Sequence, residues 1–255
     1  MVEIKTPGEI EAIRAAGKIV AEALGKMRAS AIAGTRLSAL DEVARAVLSD
    51  AGATSPFLGY RPDFAAVPFP AVICASVNDA ALHGIPDQYR LADGDLVSID
   101  FGAVLDGWTA DAAISFTIGP ARPADARLIE AANSALRAGI DAARPGGRIG
   151  DISAVIGAVG RSAGYGINTD FGGHGVGRSM HESPSVPNEG QPHRGPILRP
   201  GLVIAIEPWF MAGGKDGYYI DTDGWTIRSA DGSQAAHVEH TIAVTETGPV
   251  ILTAG

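Results

Sequence analysis

Two stretches of this chain follow one plan: residues 93–100, DGDLVSID, and residues 199–207, RPGLVIAIE, each pass from a turn through a leucine-valine strand start to an acid at the strand's end. A strand that finishes on a carboxylate directly after an apolar run limits what can surround it, because an unpaired buried acid is costly. The segments around the two stretches also alternate. Thr6, Pro7 and Glu9 form a capping-box start, and Ile10, Ile13, Val20 and Leu24 recur at helical spacing. Ser38 and Asp41 open a second predicted helix, which runs through Val43 and Val47 to about Leu48 and closes at the Ala51-Gly52 turn. Residues 57–71, FLGYRPDFAAVPFPA, read as a loop that displays side chains.

Strand-type runs follow in AVICASVN and in DLVSIDFGAVLDGWTADAAISFTIG, which the Asp106-Gly107 dipeptide breaks into a hairpin. Residues 123–143 and 150–163 are helical by pattern, parted by RPGG. Further strands are predicted around LVIAIEPW, GYYIDTDGWTIRS and AAHVEHTIAVTE, with turns at Asp223-Gly224 and Asp231-Gly232. The order is helices, strands, helices, strands. With no polar linker between the halves, the expectation is one α+β domain over residues 1–255 with internal pseudo-symmetry.

Composition narrows the partners. The 255 residues are 46% hydrophobic and 19% charged, the balance of a globular chain, and the net charge of −9 argues against a broad nucleic-acid or acidic-membrane surface. Cys74 is the one cysteine, so no intrachain disulfide can form, and the first residues, MVEIKTPGEIEAIRAAG, carry charges where a secretory signal needs an apolar core. No run is long and apolar enough for a membrane helix. A cytoplasmic protein with no DNA and no membrane partner is expected.

The glycine-rich stretch FGGHGVGRSMHESP, residues 171–184, comes close to a phosphate loop, since Gly172 and Gly177 are spaced as G-x-x-x-x-G before Arg178 and Ser179. Such a loop needs a lysine and a following helix, whereas this one has Arg178 and then Pro184 and Pro187. A zinc-protease H-E-x-x-H also fails, because Ser185 stands where the second histidine belongs. His174 and His181 therefore need other partners.

Those partners are acids in strands. Asp100 and Asp111 lie on the two arms of the predicted hairpin and can converge. Glu207 follows the fully apolar VIAI, and in AAHVEHTIAV a period of two puts His237, Glu239 and Thr241 on one face. Asp100, Asp111, Glu207 and Glu239 with His174 make four carboxylates and one imidazole. Four negative charges balance two divalent cations, which bridging carboxylates hold roughly 3.5 Å apart in two-metal hydrolases. An all-oxygen-and-nitrogen ligand set points to manganese, iron(II), cobalt or zinc.

In order and spacing, KTPGEIEAIRAAG, SVNDAALHGIP, the Asp100/Asp111 pair, GGHGVGRSMHESP, AIEPW and HVEHTI resemble the type I methionine aminopeptidases over nearly the entire chain. The resemblance implies a pita-bread fold, with two pseudo-symmetric halves around a curved antiparallel sheet, and removal of the initiator methionine from nascent chains with a small second residue. It implies Asp100, Asp111, His174, Glu207 and Glu239 as the metal ligands, and His83 and His181 as substrate histidines. Glu207 is the expected proton acceptor, His181 the oxyanion donor, and His83 a contact of the scissile amide or peptide backbone.

Phe57, Phe69, Cys74, Met180 and Trp225 are the expected methionine-pocket residues. Two departures from the family pattern stand out. RPDFAAVP lengthens the link between Gly59-Tyr60 and Phe69-Pro70, which leaves Tyr60 outside the expected pocket, and Met180 replaces a common aromatic. No N-terminal extension domain is expected. The nascent N-terminus, transient ribosome contact and a monomeric state complete the expectation. A proline-specific aminopeptidase or dipeptidase of the same fold, or a binding module without catalysis, are the alternatives.

Overall fold

The computed structural model describes residues 2–62 and 65–255, so Asp63 and Phe64 of the 57–71 loop lie outside the described residues. Helix α1 spans Pro7–Ser30, and its start follows the local chemistry: Glu9 N donates to Thr6 Oγ1 while Glu9 Oε2 accepts from Thr6 N at 2.8 Å. Helix α2, Leu37–Asp50, begins one residue before Ser38, with Arg36 at the N-cap and no side-chain cap bond. The expected capping acid has another task. Asp41 Oδ1 accepts from Val72 N at 2.7 Å and so ties α2 to the strand that follows.

The next elements are β1 (Ile73–Val77), β2 (Ala80–Leu82), β3 (Leu96–Leu105) and β4 (Trp108–Thr117), then α3 (Pro123–Ala142) and α4 (Ile149–Ser162). The second set of strands is β5 (Gly173–Gly175), β6 (Glu182–Val186), β7 (Val203–Ile206), β8 (Trp209–Met211), β9 (Tyr218–Ile220), β10 (Ile227–Ser229), β11 (Ala235–His237), β12 (Glu239–Thr245) and β13 (Gly248–Ile251). AAHVEHTIAVTE is thus two strands, parted at Val238, in different sheets.

The main sheet runs β1-β3-β4-β12-β7-β5-β6, with β13 beside β12, and every pairing is antiparallel. Its order explains the sequence recurrence. β4 and β12 meet at a central seam, and β3 and β7, the strands of DGDLVSID and RPGLVIAIE, lie one position out on either side.

On the first half, Ile13, Val20, Leu24 and Met27 of α1 pack with Ile99, Phe101, Ala110 and Ala112. On the second, Leu128, Ala132, Leu136 and Ile152 of α3 and α4 pack with Ile204, Ile206, Ile242 and Val244. Each fully buried aliphatic side chain contributes about 1.5–3 kcal/mol. Because Ile99 and Phe101 point into the helices, Ser98, Asp100 and Gly102 must face the other way. Among the described residues no helix is long and apolar enough to cross a membrane.

Candidate metal centre and substrate cavity

Strand register brings the acids together. Asp100 stands opposite Ala113 and Asp111 opposite Gly102, so the two carboxylates are diagonal neighbours on one face of the hairpin. Ala113 also pairs with Glu239 across the seam, and Asp100 with Cys74 on β1, making a row of Cys74, Asp100, Ala113 and Glu239 over four strands. Glu207 follows directly after β7, and His174 is the middle residue of β5. The glycines of the 171–184 stretch serve this approach. A Cβ at Gly173 would overlap the Ala205 carbonyl oxygen, so only glycine lets β5 lie close enough to bring His174 to the acids.

Ligand-type atoms of Asp111, His174 and Glu239 all lie within 4.8 Å of one another. His174 Nε2 is 3.7 Å from Asp111 Oδ2 and 3.5 Å from Glu207 Oε1. Its Nδ1 lies 3.0 Å from Gly175 O, and a proton held there donates to that carbonyl and leaves the Nε2 lone pair facing the carboxylates.

The electrostatics fit cations. Burial pushes Asp100 up to about 8, with Asp111 and Glu207 adding to the rise, and burial likewise raises Asp111 and, strongly, Glu239. Asp100 Oδ1 is buried with no hydrogen-bond partner among the described residues, and the lining residues include no lysine or arginine. Such a set needs a positive charge from outside the chain. Glu207 differs. Burial works to raise it, but the His237 contact and the neighbouring His174, His237 and His181 rings outweigh burial and hold it below the ordinary range.

The five residues border one cavity of about 210 Å³, which His83, His181, Phe57, Phe69, Cys74, Met180 and Trp225 also line. Every residue expected at the site therefore meets there. Phe57, Phe69, Cys74, Met180 and Trp225 belong to a single apolar cluster, with Trp225 edge-on to Phe69 at 5.0 Å. Burial, and then the charge of Asp100, push the Cys74 thiol well up, so it meets a ligand as a small apolar group. Bends at 177–181 let consecutive Met180 and His181 reach the same cavity, which an extended strand would forbid.

His83 takes the left-handed backbone (φ 56°), a strained conformation for a non-glycine residue, and packs edge-on against Phe171 and Trp225. Burial lowers its pKa to about 4 and keeps the ring neutral. The His181 ring stands 4.3 Å from His174, and burial followed by that neighbour lowers it as well.

Four further residues belong to the site. Tyr60 lines the cavity despite the longer link after it, and Phe171 lines it beside His83. Thr241 Oγ1 lies 3.0 Å from Asp111 Oδ1 and holds that carboxylate. His237 Nε2 is 3.4 Å from Glu207 Oε2, and the His237 backbone is fixed by Ser115, whose Oγ accepts from His237 N at 3.0 Å. The period of two in AAHVEHTIAV signalled His237 and Thr241. Nothing in the sequence signalled Ser115.

Four carboxylates and an imidazole at the head of a part-apolar cavity, on a pseudo-symmetric antiparallel sheet, define a metal-dependent hydrolase of the pita-bread type. Residues 11–246 match metallopeptidase family M24, and the chain belongs to that family. It is 49% identical over 262 residues to methionine aminopeptidase 1 of Mycobacterium tuberculosis (strain CDC 1551 / Oshkosh), covering 100% of this chain and 96% of that protein. It is 39% identical over 255 residues to methionine aminopeptidase 1 of Bacillus subtilis (strain 168), with 99% of each covered. The crystal structure of methionine aminopeptidase from Thermotoga maritima superposes with a TM-score of 0.95 at 37% identity, covering 100% of both chains. Prolidase from Pyrococcus furiosus shares the fold, with a TM-score of 0.78 at 24% identity over 99% of this chain and 65% of that one.

Proposed function

We propose that this chain is a metal-dependent aminopeptidase that removes the initiator methionine from nascent polypeptides with a small second residue, residues 1–255 forming one catalytic unit. The observation that carries the reading is the apolar cluster of Phe57, Phe69, Cys74, Met180 and Trp225, which lines the same cavity as the carboxylate group. Its aromatic walls and adaptable thioether suit an unbranched apolar side chain.

Asp100, Asp111, His174, Glu207 and Glu239 would hold two divalent ions, drawn from cobalt, manganese, iron(II) and zinc. Ions bound there supply Lewis acidity for the scissile carbonyl and lower the pKa of water. Glu207, held ionised by its histidine neighbours, accepts a proton from the attacking water. His181 donates a hydrogen bond to the developing oxyanion, and neutral His83 contacts the scissile amide nitrogen or the peptide backbone. On this reading the enzyme works as a cytoplasmic monomer on N-termini at the ribosome.

Hydrolysis of Met-Ala-Ser and Ala-Pro peptides, each with and without chelator, tests the proposal. Met-Ala-Ser is expected to be cleaved, to resist cleavage after exhaustive chelation, and to be cleaved again once manganese or cobalt is added. Preferential cleavage of Ala-Pro would transfer the chain to the proline-specific class. Full activity in verified metal-free protein would overturn the metal assignment.

A further inference from the structure

Tyr60 Oη lies 3.0 Å from His181 Nδ1, and the two rings meet at a tilt of 48° with centroids 5.4 Å apart. The phenol is therefore directed at a ring nitrogen and is not stacked on the ring. Its backbone is held on both sides: Tyr60 N donates to Phe57 O at 2.9 Å, and Phe69 N donates to Tyr60 O at 2.8 Å. Gly59 N donates to Phe69 O at 2.9 Å as well, so the lengthened 61–68 connection leaves from a closed base and does not carry Tyr60 away from the cavity. A neutral imidazole has one proton to place, and the partner of one nitrogen decides the state of the other.

We propose that Tyr60 is a positioning residue that fixes the tautomer of His181: its hydroxyl donates to Nδ1 and keeps the ring proton on Nε2, the nitrogen left for the substrate. His181 sits 4.3 Å from His174, whose own Nε2 faces Asp111 and Glu207, so the ring whose tautomer Tyr60 sets borders the candidate metal centre. The reverse tautomer would spend the imidazole proton on the phenol oxygen and present only a lone pair to the substrate. An oxyanion cannot be stabilised by a lone pair. The inference rests on the aminopeptidase reading for its catalytic consequence, and on the Tyr60–His181 geometry alone for the tautomer.

The test is nitrogen-proton correlation NMR of the His181 ring in the full-length, zinc-loaded protein, with the resonances assigned by their loss in His181→Ala. The wild-type ring is expected to carry its proton on Nε2, with Nδ1 bare and hydrogen-bonded; a proton on Nδ1 overturns the proposal without any further variant. Tyr60→Phe keeps the aromatic wall of the cavity and removes only the hydroxyl. It is expected to mix the two tautomers and to lower kcat on Met-Ala-Ser by about tenfold, with KM within about twofold, as for loss of a group that orients a histidine through its second nitrogen.

In a His181→Ala background, Tyr60→Phe is expected to have no further effect. Unchanged ring resonances in Tyr60→Phe, or a rise in KM at constant kcat, would make Tyr60 a wall of the pocket and nothing more. Wild-type protein with the expected tautomer but no cleavage of Met-Ala-Ser would support the positioning role and overturn the proposed activity instead.

Discussion

Glu207 stands where three imidazoles converge, with His174 at 3.5 Å and His237 at 3.4 Å from its two oxygens and His181 nearby. This environment makes it the one carboxylate of the group that stays below the ordinary range while burial raises Asp100, Asp111 and Glu239. Glu207→Gln keeps the shape and removes the proton acceptor; turnover of Met-Ala-Ser should fall by about a hundredfold or more while the far-ultraviolet circular dichroism spectrum is unchanged. Met180, 9% exposed, packs in the apolar cluster that lines the cavity. Met180→Ala should weaken cleavage of Met-Ala-Ser by roughly tenfold and cost bulkier first residues less, read as kcat/KM over a peptide series. The carboxylates that meet at the site were legible in the sequence because an acid next to an apolar strand run is costly to bury without a cation or a proton beside it, although Asp100, expected at a strand's end, lies in the middle of β3, which runs on to Leu105. Tyr60 was not, since the contact that gives it a role joins residues 121 positions apart.

The hairpin of β3 and β4 sets the spacing of Asp100 and Asp111, and its turn is held from outside. Asp106 and Gly107 both take positive φ, 50° and 76°, as a two-residue turn of this hand requires. Arg178, the residue standing in the lysine position of the apparent phosphate loop, stacks 3.8 Å over Trp108 and donates to Asp106 O at 3.2 Å. Arg178→Ala should lower stability by about 1 kcal/mol in urea titrations, with cobalt binding retained. The hairpin dipeptide and the capping box were readable because each is local chemistry. β5 (Gly-His-Gly) and β2 (Ala-Ala-Leu) were not, because glycine and alanine carry no strand preference. The start of α2 differs from its sequence pattern because both expected capping side chains are engaged at a distance: Ser38 accepts from Gln88 Nε2, and Asp41 from the backbone of Val72.

For the molecule as a whole, the buried carboxylates link metal binding to stability. A carboxyl whose folded-state pKa lies above its unfolded value favours folding below the unfolded value and loses that contribution as pH rises through the folded one. For Asp100 the window runs from 3.8 to about 8. Chelated protein should therefore melt at progressively lower temperature as pH is raised across that window, and manganese or cobalt should restore the melting temperature most at its upper end. Equal melting temperatures for chelated protein at both ends would remove the charge argument. The seam between β4 and β12 has a consequence for synthesis. Asp100 and Asp111 come from one side of it, while His174, Glu207 and Glu239 come from the other, and Glu239 finds its place only when β12 pairs with a strand made far earlier. A chain growing from its N-terminus thus exposes two acids long before their partners exist, and long-range pairing of this kind is slow. With Glu239 in the proposed ligand set, hydrolytic competence waits for β12, so an unfinished copy of the enzyme cannot trim its neighbours.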